Sequence, residues 1–292
     1  MGGRKQTKAG YLFALPFLAL FVVFTIGPVI ASLLMSFTDL KARDVLNPLS
    51  VNAVGLQNYT TLFADETFRR AASNTAYFVL VAVPLTMGLA LAVAVGLNTG
   101  VTRFKAFFRA GFYLPVVTSI VAVAVVWRFL LEPESGIINR LLGYVGIDGP
   151  SWVDSETWAM PALIVMSAWR NMGYLVVIFL AGLQVVSKEL HEAAAIDGAG
   201  AWGRFKHITV PMMRPTLLFG GVVTMIGYLQ FFEEPFVMTQ GGPLDKTLST
   251  AYFTYNQFGF GNYSYAAAAA YVLFVVIAIV TALQFKLLGE KD

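Results

Sequence analysis

The chain has 292 residues, of which 57% are apolar and only 13% charged, with a net charge of +3. A soluble domain carries about 25% charged residues, so these charges are too few to solvate a globular surface, and a disordered chain is excluded as well. The basic residues stand in short runs between long uncharged stretches, which is a membrane pattern and not a nucleic-acid-binding face, and the absence of cysteine excludes disulfides, thiolate metal sites and a cysteine nucleophile.

A hydrocarbon core of about 30 Å needs about 20 apolar residues of helix to cross it, and six stretches satisfy that length. Residues 1–8, with Arg4, Lys5 and Lys8, form a basic cytoplasmic tail, and 9–292 form a single membrane domain. The first span is 9–36. Its apolar run is longer than the roughly 7–15 residues of a cleaved signal peptide, so it reads as a retained anchor helix. The second is 74–97, and the third is 110–131. The fourth, 158–183, is interrupted by Arg170. The fifth, 215–237, carries Glu233 and Glu234 near its far end. The sixth, 266–288, opens on five consecutive alanines.

An even number of spans puts both termini on one side. With that side cytoplasmic, twelve Lys and Arg residues fall in cytoplasmic segments and seven in outer ones, the bias that the positive-inside rule describes. Outer segments 39–70, 132–157 and 239–263 are long and turn-rich. The cytoplasmic connections are short except for 187–211, between the fourth and fifth spans.

That loop is where the chemistry concentrates. Ser187 is a good N-cap, Leu190, Ala193, Ala194 and Asp197 follow helical spacing, and Gly198 supplies a stop. A second short helix, about 201–208, ends before Pro211. Two short cytosolic helices with a small-residue face suit insertion into a groove on another protein.

Here the sequence resembles a known family. Glu192-Ala193-Ala194-x-x-Asp197-Gly198-Ala199, then eight residues, then Ile208-x-Val210-Pro211 is similar to the EAA loop of binding-protein-dependent ABC importer permeases, with Val210 where the family usually has Leu. Gly55-Leu-Gln-Asn58-Tyr59, Asn74-Thr75, Ala181-Gly-Leu-Gln184 and Thr239-Gln-Gly-Gly-Pro243 resemble the carbohydrate-uptake branch, the relatives of the maltose and glycerol-phosphate permeases.

The resemblance implies an all-α integral membrane protein with the six-helix type I importer fold. It also implies a loop at 187–211 that docks on an ATPase through Glu189, Glu192, Ala193, Ala194, Asp197, Gly198 and Pro211. The implied partners are two ATPase subunits, a sister permease (commonly a different chain) and an extracytoplasmic solute-binding protein, with a sugar or oligosaccharide as cargo. The implied place is the cytoplasmic membrane of a bacterium or archaeon. No phosphate-binding Gly-x-x-x-x-Gly-Lys-[Ser/Thr] loop occurs, so ATP and magnesium are expected on the partner ATPase and no cofactor or metal on this chain. Hydrolase motifs are absent too, and the chain is expected to be a transport subunit and not an enzyme.

A substrate path is legible as two polar stripes. Ser167, Arg170, Asn171 and Tyr174 lie one helical turn apart on one face, and Gly227, Gln230, Phe231 and Glu234 repeat the spacing. Such stripes offer hydrogen bonds to sugar hydroxyls and aromatic faces to sugar C–H surfaces. Arg170 at mid-membrane costs about 2.5–3.5 kcal/mol on the insertion scale, so it faces protein or water. The alternative roles are an ion pair with Glu233 or Glu234, or a contact to a sister subunit. The competing functional reading is an ion-coupled secondary transporter using those glutamates. Such chains repeat their spans, and no repeat is visible here.

Overall fold

The computed structural model describes residues 3–47, 50–99 and 104–288. Among them the chain is helical, and the only β-type pairing is one isolated bridge, Thr38 to Ala53. Among the described residues four helices are long and apolar enough to cross a bilayer, or six where each of two bent helix pairs counts as one span. The chain divides into two compact units, Met1–Glu66 with Thr254–Val272, and Thr67–Phe253 with Leu273–Asp292.

In the first unit α1 (Gly3–Phe21) runs through a π turn (Val22–Ile26) into α2 (Gly27–Met35). The predicted tail is therefore helical from Gly3 and continuous with the span, while Met1 and Gly2 lie outside the described residues. The π turn immediately precedes Pro28, whose ring and missing N–H a regular helical turn cannot absorb. None of the residues in the most apolar window of 13–35 is buried.

After this span the chain is clasped by the motif at 55–59, which leads into α3 (Gln57–Ala64). Asn58 Nδ2 donates to the carbonyls of Ser36 (2.8 Å) and Thr38 (2.7 Å), and Tyr59 Oη lies 2.7 Å from Ser36 Oγ. Thr38 Oγ1 and Ser264 Oγ pair at 2.9 Å, and the Ala42 N–H donates to the Gly261 carbonyl.

The second unit is organised on α4 (Glu66–Thr99) and α8 (Ala159–Val185). α4 begins eight residues before the predicted span and, at 1.5 Å per residue, is longer than a bilayer needs. α5 (Lys105–Val117) and α6 (Ile120–Leu130) share the third predicted span, but they meet at a 98° bend. Thr118 and Ser119 adopt non-helical conformations there, and Thr118 Oγ1 takes the Leu114 carbonyl at 2.8 Å. Hydroxyl side chains compete for helical carbonyls in this way. α7 (Ile137–Tyr144) follows in the segment predicted to lie outside.

α8 is the packing centre, with 61% of its most apolar window buried. Small residues let backbones close on it, as in other membrane helices. A Cβ on Gly173 would stand 2.0 Å from the Phe112 carbonyl oxygen of α5. On the side of α12 (Arg214–Leu229) one at Gly182 would meet Thr216 at 2.8 Å.

The fifth predicted span is also broken. α12 ends at Leu229, and α13 (Glu233–Met238) begins after three non-helical residues. Pro235 sits in the first turn of α13, where its missing N–H needs no partner, and it has none to give the Phe231 carbonyl as a helix continuous with α12 would require. Downstream, the motif at 239–243 is locked by Thr239 Oγ1 against Thr247 Oγ1 (2.6 Å) and by Thr247 Oγ1 donating to the Gly242 carbonyl. Asn74 and Thr75 of α4 hold the same segment: Asn74 Nδ2 donates to the Asp245 and Leu248 carbonyls, and Thr75 Oγ1 accepts the Thr250 N–H. The chain closes with α14 (Thr250–Gly259) and α15 (Tyr263–Leu288).

Candidate functional site

The loop at 187–211 forms α9 (Lys188–Ile196), α10 (Ala201–Arg204), a π turn (Phe205–Thr209) and α11 (Val210–Met212). Ser187 occupies the N-cap position with extended backbone, but its side chain makes no capping hydrogen bond. Gly198 does stop the helix. Its φ of +80° lies in the left-handed region, and the Gly198 and Ala199 N–H groups bond back to the carbonyls of Ala195 and Ala194, the closure a glycine just past a helix end provides. Glu189, Glu192, Ala193 and Asp197 are exposed, and Ala194 is half-buried.

The second helix does not end before Pro211. It continues through Pro211 to Met212, because the π turn ahead of the ring absorbs the missing donor. The segment Ala201–Met212 then meets α12 at a 69° bend, so the second half of the loop and the fifth span are joined by almost uninterrupted helix. α9 encloses a cleft of about 1160 Å³ with the end of α4, lined by Asn98, Thr99, Glu189, Glu192, Arg204 and Phe205.

Three features of this loop escaped the sequence reading. His191 Nε2 lies 3.4 Å from Thr209 Oγ1, linking α9 to the π turn. Ile196 and Trp202 are apolar yet 87% and 73% exposed. The available signal was the presence of large apolar residues in an otherwise polar loop.

The polar stripes meet in a second place. A cavity of about 480 Å³ lies between α8, α12 and α13, lined by Arg170, Asn171, Tyr174, Gln230, Phe231 and Glu234, and also by Gly227, Thr224, Tyr228 and Glu233. Tyr174 Oη pairs with Thr224 Oγ1 at 2.6 Å, and Tyr228 Oη donates to the Ser167 carbonyl at 3.1 Å and pairs with Thr86 Oγ1 at 2.9 Å. Asn171 Nδ2 is 3.5 Å from Tyr228 Oη, while Arg170 Nη1 donates to Asn171 Oδ1 at 3.3 Å.

Two stripe residues sit differently from expectation. Ser167 is fully buried and is not part of the lining. Phe231 forms a wall, but its ring is 3% exposed and stacks on Phe78 with centroids 3.9 Å apart. Its other face is therefore core, not water. Among the described residues no ion pair within 4.0 Å joins Arg170 to Glu233 or Glu234, and no group of three or more His, Asp or Glu residues is placed to hold a metal ion.

Comparison with known proteins agrees with this architecture. The family model described as binding-protein-dependent transport system inner membrane component matches residues 7–289. The lactose transport system permease protein LacF of Rhizobium radiobacter is 35% identical over 97% of this chain and 94% of that protein. The arabinooligosaccharides transport system permease protein AraP of Bacillus subtilis (strain 168) is 34% identical over 98% of this chain and 90% of its own length. Among solved structures, a chain of a bacterial alginate ABC transporter in complex with an alginate pentasaccharide-bound periplasmic protein superposes with a TM-score of 0.79, at 25% identity, over 96% of this chain and 93% of that one.

Proposed function

This chain belongs to the family of binding-protein-dependent transport system inner membrane components, a multi-pass membrane protein and not an enzyme, and we propose that it forms half of the translocation path of an ATP-driven sugar importer. The observation that carries this reading is the exposed helix α9, stopped at Gly198 and joined through α10, the π turn and α11 to α12, whose far end borders the polar cavity. A push on α9 reaches the cavity wall through the turn at Gly198, the helical segment Ala201–Met212 and the bend into α12.

In this reading Glu189, Glu192, Ala193, Ala194, Asp197, Gly198 and Pro211 serve the ATPase contact. Arg170, Asn171, Tyr174, Gln230 and Glu234 face the sugar, while Ser167 and Phe231 support that face from behind. Uncharged hydroxyl and amide groups beside aromatic rings suit a saccharide, and sugar permeases among the relatives support that cargo. Two ATPases bearing the ATP and magnesium, a sister permease and an extracytoplasmic binding protein complete the assembly. The alginate transporter's complex with a periplasmic protein supports the last of these. Both termini face the cytoplasm across a bacterial or archaeal cytoplasmic membrane, consistent with the basic residues on that side.

Reconstitution in liposomes tests the proposal. ATP-dependent sugar uptake is expected from the complete set of subunits and none from this chain alone. Uptake by the lone chain on an ion gradient would instead establish the secondary-transporter reading.

A further inference from the structure

Tyr228 stands where three helices of the second unit come together. It lies in the last turn of α12 and is buried, and its phenol oxygen reaches two other helices. On α8 it meets the Ser167 carbonyl (3.1 Å) and Asn171 Nδ2 (3.5 Å), the two ends of a single helical turn that also carries Arg170. On α4 it meets Thr86 Oγ1 (2.9 Å), which lies 2.6 Å from the Ala82 carbonyl. The ring is fixed edge-on against Phe78, with centroids 5.2 Å apart. The junction has two settings, because it is one proton short. Thr86 and Tyr228 carry one hydroxyl proton each, and three contacts call for one. When Thr86 donates to Tyr228, the phenol donates to Ser167 on α8. When Thr86 donates to Ala82, the phenol donates to Thr86 on α4 and its hold on Ser167 lapses. Neither setting strands a carbonyl, since Ser167 and Ala82 also accept the helical N–H four residues on.

We infer that Tyr228 is a positioning residue: through the turn Ser167–Asn171 it passes a displacement of α12 to Arg170 and Asn171, which line the cavity. This rests on the transport reading proposed above and names how that site is regulated. α12 is the helix that the loop at 187–211 enters across the 69° bend, so a shift driven from the loop carries Tyr228 with it. Elsewhere α12 meets α8 largely through small and apolar groups, Gly182 against Thr216 and Gly220 against Phe179. Such contacts have little directionality, whereas a hydrogen bond weakens steeply with misalignment. The other polar link, Tyr174 Oη to Thr224 Oγ1, joins one side chain to another. Tyr228 instead grips the backbone of α8 as well as a side chain.

Two thiol reporters separate movement of α12 from its transmission to α8. The native chain has no cysteine. Gly227→Cys reports on α12, where nothing lies within 4 Å of the new Cβ, and Arg170→Cys reports on the turn of α8. Each is placed in the purified transporter complex in lipid nanodiscs and treated with methyl methanethiosulfonate, without nucleotide and after trapping with ATP, magnesium and vanadate. Labelling of this chain is followed by mass. Each reporter is then combined with Tyr228→Phe, which keeps the ring against Phe78 and strands no carbonyl, and with Thr86→Val, which removes the share of α4 and leaves both bonds to α8.

With Tyr228 in place, trapping is expected to change the labelling rate at both reporters by about fivefold or more, the low end of coupling between sites. Tyr228→Phe should leave the response of Gly227→Cys and bring that of Arg170→Cys toward none, while Thr86→Val leaves both. A response of Arg170→Cys that persists in Tyr228→Phe overturns the assignment. So does its loss in both hydroxyl variants, or its absence beside native Tyr228 while Gly227→Cys responds. Failure of Tyr228→Phe to assemble overturns it too, by showing the hydroxyl to be structural. Silence of both reporters beside native Tyr228 means instead that no push reaches α12, and the transport reading falls together with the assignment.

Discussion

Gly173 and Gly198 show two ways in which a single missing Cβ is used. At Gly173 the limit is space. Gly173→Ala would press its methyl into the Phe112 carbonyl, a backbone atom that cannot step aside, and overpacking of this kind costs about 1–3 kcal/mol. Thermal unfolding in detergent should show a clear loss for Gly173→Ala and little change for Gly88→Ala, where nothing lies within 4 Å. At Gly198 space is free and backbone conformation is the constraint. Gly198→Val should therefore fold, at a local cost of about 1–3 kcal/mol, yet frays the end of α9. Transport uncoupled from ATP hydrolysis, or loss of the ATPase during copurification, is the expected outcome. Normal values of both would contradict a coupling role. Asp39 is a third case. Its carboxylate accepts the Asn52 N–H at 2.7 Å and Nδ2 at 3.1 Å, and these bonds hold it below the usual carboxylate range. A lowered folded-state pKa means that the clasp is fully present above the ordinary carboxylate pKa and is lost as pH falls through the lowered one. Hydrogen exchange at the Asn52 amide should accordingly be slower at neutral pH than in acid well below the ordinary carboxylate pKa, once intrinsic rates are corrected.

Helices and their breaks carry the next layer. Hydropathy marks 110–131 and 215–237 as single spans because it sums apolar character and is blind to direction. The breaks come from local groups whose effect depends on context: Thr118 and Ser119 in one case, Pro235 behind Gln230 in the other. Prolines at 16, 84 and 115 sit inside helices without breaking them, so a proline alone was no reliable signal. The stripe on α8 was legible from spacing, but its depth was not. Cysteine scanning separates the two. Asn171→Cys, Tyr174→Cys and Gln230→Cys should react with a small water-soluble thiol reagent, whereas Ser167→Cys and Phe231→Cys should stay protected by the core around Phe78, Met166 and Tyr228. Reaction at all five would return Ser167 and Phe231 to the lining. The short motifs that carried the resemblance also acquire a physical role at this scale. Asn58 and Asn74 each satisfy two backbone carbonyls at loop junctions. Their removal strands carbonyls at about 1–3 kcal/mol for a buried group, which makes these motifs architectural and not part of the polar cavity.

For the molecule as a whole, exposure shows what the isolated chain lacks. The window within 13–35 buries none of its residues, so its apolar surface belongs to lipid or to partner helices. On the loop at 187–211 Ile196 and Trp202 are largely exposed, and exposed large apolar residues are the kind that anchor interfaces. Ile196→Glu and Trp202→Glu should leave thermal stability unchanged and reduce ATPase copurification at least about tenfold, since interface anchors are commonly worth 2 kcal/mol or more. Retained copurification in both would move the contact elsewhere on the loop. The amino-acid sequence by itself determined the membrane class, the six apolar stretches, the long loop between the fourth and fifth of them and the helix stop at Gly198. All of these follow from composition, run length and one-turn spacing, which are properties of neighbouring residues. Only the tertiary structure decided that Ser167 and Phe231 are core, that Arg170 makes no contact pair with the glutamates, and that Asn74 holds the segment after α13. Each of these depends on which distant side chain occupies the adjoining space, and periodicity along one helix carries no information about that.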